Sequence, residues 1–538
     1  MHTYLPENLD LFQIVQQNPP SGIEKFDLEK LKYFLGLIDL LPANNKDIEL
    51  KNGFTPLHSR KLKNKAANYL SYFEYAIEQG IIFSDHQWIE GQKSIGYKFT
   101  EKYRKPIVRS EILNKRMRQT ARKKKNKRTK TTNHLRYITQ YFDQNLMIDE
   151  EQALHYANAI YEYKSASKDN RDINFEKTRN DRNGVIHFKN PFVQHNHTLA
   201  SLDKVTRGEW NLYRDPTVNR FHSTLTQMPG PFRNLLTYNG KNLVACDIKN
   251  SQPYLLCRFL QPSFYFTQTH SEDRKKFVRS PFGKSNASLT DQHLEKFLTN
   301  AQSVTTHPDF GEQFSLSFSF SLEKESKRVK SHTLKSINNP HLTTPQSLIK
   351  WQWVMYNTDN QEVERFSKLV SEGTFYEGMQ EECKSKIDML PGGRELDRNY
   401  MKVMMFQVLF SDNRFFAQDD ALPKRIFQQM FPGVYEVVKF WKPSKNSELL
   451  ASALQSLESY LIIDVIAKRF TKEFPGIPIF TIHDCLVTTE GHEHHLKRIM
   501  EEELTFHIGL PPSIKLEYWN EENLLKEYPY LNPGIRVA

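Results

Sequence analysis

The 538-residue chain has only four cysteines, Cys246, Cys257, Cys383 and Cys485, and none stands in Cys-x-x-Cys spacing. This scatter excludes a disulfide framework and a zinc knuckle and fits a reducing cytosol. The expected location is therefore the cytoplasm. Long apolar runs are missing too: none approaches the ~20 residues that span a bilayer, and the opening MHTYLPENLD lacks the apolar segment of a secretory signal. A membrane is not an expected partner. FGKS at 282–285 has Val278 where a phosphate loop needs its first glycine, which excludes a Walker-type nucleotide site. What the chain does have is positive charge. Its 74 Lys+Arg against 63 Asp+Glu give a formal charge of +11 and a pI near 9.1. Without a membrane signal, that excess points to nucleic acid. The residues are 38% apolar and 12% aromatic, enough for a packed core.

The first 110 residues read as a small α+β unit. A helix runs through Ile77, Gly80 stops it, and two short strands follow around Glu90–Ser94. That order is similar to a winged-helix module, with a plain α+β unit as the alternative. Next, residues 115–130 hold ten positive charges in sixteen positions, including Lys123, Lys124 and Lys125. Such a run repels itself unless phosphates neutralise it. From His134 to Lys164 the apolar spacing is helical. Between 261 and 390 a Ser-, Lys-, Asn- and Thr-rich stretch without a sustained period reads in part as a mobile insertion.

Chemistry is written in three places. Leu243-Val244-Ala245-Cys246 reads as a short buried strand ending at Asp247, with a helix starting after Pro253. In IFTIHDCLVTTEG, residues 479–491, a second apolar run breaks at His483-Asp484. If the two strands are neighbours, two carboxylates meet at one sheet edge, where they repel unless divalent cations lie between them. The third place is a helix within 395–416, on which Arg398, Lys402, Phe406 and Phe410 recur every four residues. Each such step overshoots a full turn by about 40°, so the four share one slowly winding face. Two cations followed by two aromatics suit a triphosphate and a base.

Together these segments resemble the family A nucleotide polymerases, DNA polymerase I and its relatives, and more remotely the single-subunit phage-type RNA polymerases. The helix matches the family's R-x3-K-x3-F-x3-Y-G pattern, with Phe410-Ser411 in place of Tyr-Gly. His483-Asp484-Cys485 is similar to its His-Asp motif, and Asp247 stands at its first palm aspartate. The lead-in is similar at Thr217, Arg220 and Arg233. The resemblance implies an α+β right-hand polymerase with an antiparallel palm sheet, helical fingers and thumb, and an N-terminal appendage. Its expected boundaries are 1–110 for the appendage, 111–209 for a basic segment and thumb-like helices, and 210–260 for the first part of the palm. The insertion takes 261–390, the fingers helices 391–450 and the second part of the palm 451–538.

The resemblance also implies roles. Asp247, Asp484 and the main-chain carbonyl of Ile248 would bind two Mg²⁺, with Mn²⁺ as an alternative ion. Arg398 and Lys402 would hold the triphosphate, Lys402 also offsetting charge as pyrophosphate leaves. Phe406 and Phe410 would flank the nucleotide. His483 would stand by the primer terminus and Arg220 in the minor groove. A Gln on the helix before the last strand would contact nucleic acid; Gln455 is taken for it, with Glu458 close by. Gln252, five residues after Asp247, is bulky enough to exclude a 2′-hydroxyl, which leans the reading towards deoxynucleotides. The expected activity is template-directed DNA synthesis on a primer-template from nucleoside triphosphates, in a phage, plasmid or mobile element. Alternatives are an RNA polymerase or primase-like enzyme, or a non-catalytic nucleic-acid-binding protein. Cys485 as a nucleophile and His-Glu-His-His at 492–495 as a metal site are set aside as a buried thiol and a solvated helix start. Asp27-Leu28-Glu29 reads as helix, unlike the strand of a proofreading exonuclease.

Overall fold

The computed structural model describes residues 1–44, 48, 50–89, 93–119, 132–174, 185–261, 360–384, 396–413, 416, 421–442 and 447–532. Lys123, Lys124 and Lys125 lie outside these residues, as does the greater part of 261–390. Among the described residues helix and sheet are mixed around a large hydrophobic core, a smaller N-terminal one and a third, small cluster of Tyr4, Ile107 and Ala200.

In the N-terminal unit β1 (His2–Pro6) pairs antiparallel with β5 (Ile107–Glu111), while β2 (Thr55–Pro56), β4 (Gly96–Phe99) and β3 (Ile82–Ser84) form a three-stranded sheet in that order. The helix Tyr69–Glu78 ends before Gly80, whose φ of +64° suits a residue without a Cβ. The strands differ in place from the sequence reading. β3 ends at Ser84 and β4 starts at Gly96, with an isolated bridge between Ile89 and Lys93, while residues 90–92 lie outside the described residues. Asp27 caps the helix Leu28–Asn44, accepting from the Glu29 N–H at 2.9 Å, so the acidic pair does begin a helix. This unit is tied to the main body at the helix Pro191–Thr206. Arg109 donates to Asp203 at 2.9 Å and to Glu209 at 2.6 Å, and the Tyr4 hydroxyl donates to Asp203 at 2.7 Å.

The central sheet is antiparallel, in the order β11 (Ile479–Ile482), β12 (Cys485–Thr489), β10 (Lys241–Ile248), β9 (Leu236–Tyr238) and β6 (Leu146–Ile148). A further strand, β13 (Ile514–Trp519), pairs with β10 on the side away from β12. Leu243, Val244, Ala245 and Cys246 are buried, as a strand with neighbours on both sides requires. β6 corrects the sequence reading. The expected single helix over 134–164 is a short turn, Arg136–Thr139, then β6, then the helix Glu150–Ala166 capped by Asp149. Three residues, Leu-Met-Ile, carry too short a pattern to separate strand from helix; pairing with β9 decides it.

Helices cover the sheet. The helix Glu493–Ile508 packs on β10 and β12, while Asn360–Ser371, Phe375–Lys384, Arg398–Phe410, Leu422–Met430 and Pro432–Phe440 build a cluster around Phe366, Phe375, Phe427 and Phe431. A long helix, Leu449–Glu473, has a π-helical middle, Tyr460–Ala467. By length and composition it is long and apolar enough to cross a membrane, which corrects the expectation that no such run exists. However, 67% of its apolar window is buried inside the protein. Its acidic interruptions, Glu458 and Asp464, are taken up by Arg220 and Arg214.

Candidate active site

The register of three strands brings the two aspartates together. Asp247, next to last on β10, is directly opposite Cys485 on β12 and Lys515 on β13. β11 and β12 are joined by His483-Asp484 alone, because Ile482 already pairs with Cys485. Asp484 therefore lies at the hairpin tip, one residue from the partner of Asp247. His483 takes φ +58° to close this turn, a conformation rare outside glycine and one that persists where surrounding structure enforces it.

Asp247 carries the electrostatic record of this meeting. Burial, then the charges of Asp484 and Glu517, push its carboxyl up to about 7, while Lys515 and Lys402 work the other way. Among the described residues neither Asp247 nor Asp484 has a hydrogen-bond or salt-bridge partner, and the nearby Lys515 and Lys402 offset only part of the repulsion on Asp247. Two such carboxylates at a strand end fit divalent cations. Ile248, which closes β10, supplies a neighbouring main-chain carbonyl.

The helix after β10 starts at Ser251, three residues earlier than expected. Pro253 is accommodated in its first turn, where its missing N–H removes no helical bond. Asn250 precedes it at φ +56°, with both amide atoms buried and without partners. The Gln252 Oε1 and His483 Nδ1 are also buried without partners. Buried polar atoms are nearly always satisfied in folded proteins, so this group of orphans around Asp247 and Asp484 marks a ligand site.

The third sequence element arrives on the helix Arg398–Phe410, capped by Asp397, which accepts from the Tyr400 N–H. Met401, Met404, Met405, Val408 and Leu409 enter the core. The other face presents Arg398, Lys402, Phe406 and Phe410. Lys402 is close enough to both aspartates for them to raise its pKa, although burial first and Arg398 second leave it below the ordinary lysine value. Phe406 is 50% exposed and Phe410 half-buried, with ring centroids 5.4 Å apart. Arg398 Nε donates to Glu377 Oε1 at 2.6 Å, and its guanidinium lies 5.4 Å from the Tyr376 ring centroid. This ion pair is about half exposed on both sides, so it holds Arg398 by only about 0–1 kcal/mol and a triphosphate can displace it.

Arg220 is held more firmly. Its Nε and Nη2 donate to the two carboxylate oxygens of Glu458 at 3.0 Å each, and the Glu458 side chain is only 2% exposed. Separating a buried pair costs about 3–5 kcal/mol. Arg220 is therefore an anchored side chain in this structure, not one free to enter a groove. It lies on the hairpin of β7 (Tyr213–Arg214) and β8 (Phe221–His222), where His222 stacks on Tyr213 at 4.8 Å and meets His483 at 6.1 Å. Burial, then Arg220, bring His483 down to about 4, so its ring is neutral at physiological pH. Gln455 is half-buried one turn before Glu458, and it is Glu458 that turns towards Arg220 and Gln252.

Sequence reasoning missed Glu517, Glu377, Tyr376 and His222. The alternation in Ile-Lys-Leu-Glu-Tyr-Trp marks β13 as a strand, yet nothing local says that it pairs with β10. The buried Cys485 thiol is pushed well above its ordinary value by burial and by Asp247 and Asp484, so it stays protonated. Glu493, expected to be solvated, is 5% exposed and accepts from the Gly491 N–H and the Tyr518 hydroxyl. Among the described residues no group of three or more His, Cys, Asp or Glu is arranged to hold a metal.

No protein-family model matches the chain, and no curated protein does. Among solved structures it is similar to the POL domain of Pol1 from M. smegmatis, in complex with DNA primer-template and dNTP. The identity is 11%, the match covers 71% of this chain and 69% of that one, and the TM-score is 0.30.

Proposed function

We propose that this chain is a metal-dependent, template-directed DNA polymerase of the right-hand type, with the central sheet as palm and the Arg398–Phe410 helix on the fingers. The observation that carries the reading is the convergence of Asp247 and Asp484, two carboxylates without a hydrogen-bond or salt-bridge partner among the described residues, close to Lys402. A binding module has no use for a repelling acid pair faced by a cationic helix; phosphoryl transfer uses both.

In this reading Asp247, Asp484 and the Ile248 carbonyl hold two divalent cations, Mg²⁺ or Mn²⁺. When bound, these supply a lowered pKa at the primer hydroxyl and charge compensation on the phosphates. The primer 3′-oxygen attacks the α-phosphorus, its proton leaves to solvent, the new P–O bond forms, and the bond to the bridging oxygen breaks to release pyrophosphate. Lys402 and Arg398 bind the triphosphate, Arg398 exchanging Glu377 for phosphate. Phe406 offers an exposed ring to the base, with Phe410 behind it. Neutral His483 lies beside the primer terminus as a hydrogen-bonding group. With Asp27 spent on capping a helix, the N-terminal unit serves nucleic-acid binding instead of proofreading.

The test is extension of a labelled DNA primer on a template with Mg²⁺, comparing dNTPs with NTPs and including Asp247→Ala. Templated extension by dNTPs that disappears in the variant supports the proposal. Extension by NTPs alone changes the product to RNA. Failure with both, alongside salt-sensitive binding, refutes the enzyme reading.

A further inference from the structure

The N-terminal sheet, in the order β2-β4-β3, has one packed face and one open face. On the packed side Tyr97 is 3% exposed and stacks on Phe73 at 4.2 Å, and Ile82 and Phe99 are buried in the same core. Alternation along the strands then turns Phe83 and Lys98, directly opposite each other in the β3–β4 register, to the other side. Phe83 is 50% exposed. Continuing the pairing of Thr55 with Tyr97 puts Phe54, just ahead of β2, on the far side of Lys98, and the Lys98 Nζ lies 4.5 Å from its ring centroid. The result is a row across three strands: ring, ammonium, ring. Gly96, two residues before Lys98 on the same face, gives Phe54 its place, because a Cβ there would stand 2.8 Å from the Phe54 Cβ. No carboxylate among the described residues pairs with Lys98, whose Nζ donates to the Asn52 carbonyl at a long 3.4 Å.

The charge around this row selects its partner. Residues 51–118 carry 14 Lys+Arg against 6 Asp+Glu, a surplus of eight in a chain whose whole surplus is eleven. An apolar protein surface laid on the row would desolvate Lys98 without supplying a counter-charge. A polyanion supplies it. A duplex keeps the faces of its bases stacked inside, so that outward rings meet only edges and backbone. A single strand offers base faces for the rings and phosphates for the cation.

We propose that the open face of β2-β4-β3 is a binding site for single-stranded nucleic acid, where bases stack on Phe83 and Phe54 and the phosphate between them meets Lys98. The inference rests on the polymerase reading for its use, the unpaired strand being template beyond the primer terminus, and it names the ligand and the residues of the N-terminal unit.

The experiment is fluorescence anisotropy of the full chain, in EDTA and without nucleotides, on labelled oligo(dT), oligo(rU) and a DNA duplex of equal length. It compares wild type with Phe83→Ala, Phe83→Trp and Lys98→Gln, using circular dichroism and thermal melting to compare folds. Loss of one stacked base in Phe83→Ala should weaken single-strand binding by about 5- to 100-fold while duplex affinity stays within about twofold, and Phe83→Trp should restore it. Lys98→Gln should flatten the slope of log K against log salt by about 0.7, one phosphate of a single strand. The two oligonucleotides, both single strands, tell which sugar the face takes. An equal loss on single strand and duplex in Phe83→Ala, or no loss on either, overturns the proposal. Unchanged binding together with a self-association that Phe83→Ala abolishes makes the face an interface between copies, which overturns it too. Should Phe83→Ala unfold, the salt slope of Lys98→Gln decides alone. Primer extension on the same samples keeps the two readings apart. Extension with unchanged binding in the variants refutes this inference alone, and the expected binding losses in a chain that extends no primer refute the polymerase reading alone.

Discussion

Lys442 is a buried cation in an otherwise apolar cluster, and replacing it with methionine should stabilise the protein at neutral pH. The side chain is 3% exposed and its Nζ donates to the Val408 carbonyl at 2.8 Å, at the last turn of the Arg398–Phe410 helix. Burial, with Lys424 nearby as a second cation, lowers its pKa from the ordinary 10.5 to about 7. The unfolded chain therefore binds more protons between about pH 7 and pH 10.5, so the lysine protein gains stability as pH rises through that window. Below it the full penalty of charging the buried amine is present. At about 1.4 kcal/mol per pKa unit the penalty is at most about 5 kcal/mol, and about 3 kcal/mol of it disappears between pH 7 and pH 9.5. Methionine fills a similar volume without the charge, but leaves Val408 without that donor, which costs about 1–3 kcal/mol. The expected net gain for Lys442→Met at pH 7 is about 1–3 kcal/mol, shrinking or reversing at pH 9.5. Urea denaturation of both proteins at the two pH values measures it. A difference that does not change with pH would refute the reasoning, because only an amine neutralised within the fold produces that slope.

Other outcomes follow from the site. Asp484→Asn should abolish primer extension and leave nucleic-acid affinity within about twofold by fluorescence anisotropy, because the hairpin tip carries chemistry and not the main phosphate contacts; loss of binding as well would sink the assignment. In EDTA, Asp247→Asn should be more stable than wild type by about 1–3 kcal/mol, since it removes half of a repelling pair, and added Mg²⁺ should raise the melting temperature of the wild type only. An equal response of both proteins to Mg²⁺ would count against a metal at Asp247. Phe406→Ala, at an exposed ring, should shift stability by less than about 0.5 kcal/mol yet raise the nucleotide KM about tenfold, one stacking contact; an unchanged KM would remove Phe406 from the nucleotide site.

The parts of this arrangement that were legible in the sequence are those written in local signals. An apolar run ending in Asp247, another broken at His483-Asp484, and Arg398, Lys402, Phe406 and Phe410 spaced by four all appear where expected, because strand ends and helix faces are set by near neighbours in the chain. The parts that were not legible depend on distant pairing. β6 is a strand only because β9 lies beside it. Glu458 and Asp464 are each matched in the fold by an arginine about 240 residues away in sequence, and the apolar residues around them form one long core helix. The choice between Gln455 and Glu458 also had to wait for the partner hairpin, since periodicity places both on the same helix without saying which one meets Arg220.

The position of β10 determines when a nascent chain can acquire a site. This strand is flanked on one side by residues 485–489 and on the other by residues 514–519. A ribosome delivers Asp247 long before either neighbour exists, and the strand that carries it waits with both edges open while more than two hundred further residues are made. Contacts so far apart in sequence form late and slowly. A product that stops short of Ile514 retains both aspartates and the whole cationic helix, but it presents an unpaired apolar edge to every other chain in the cell. Premature termination between Asp484 and Ile514 is therefore expected to yield a polypeptide with an exposed, aggregation-prone strand edge.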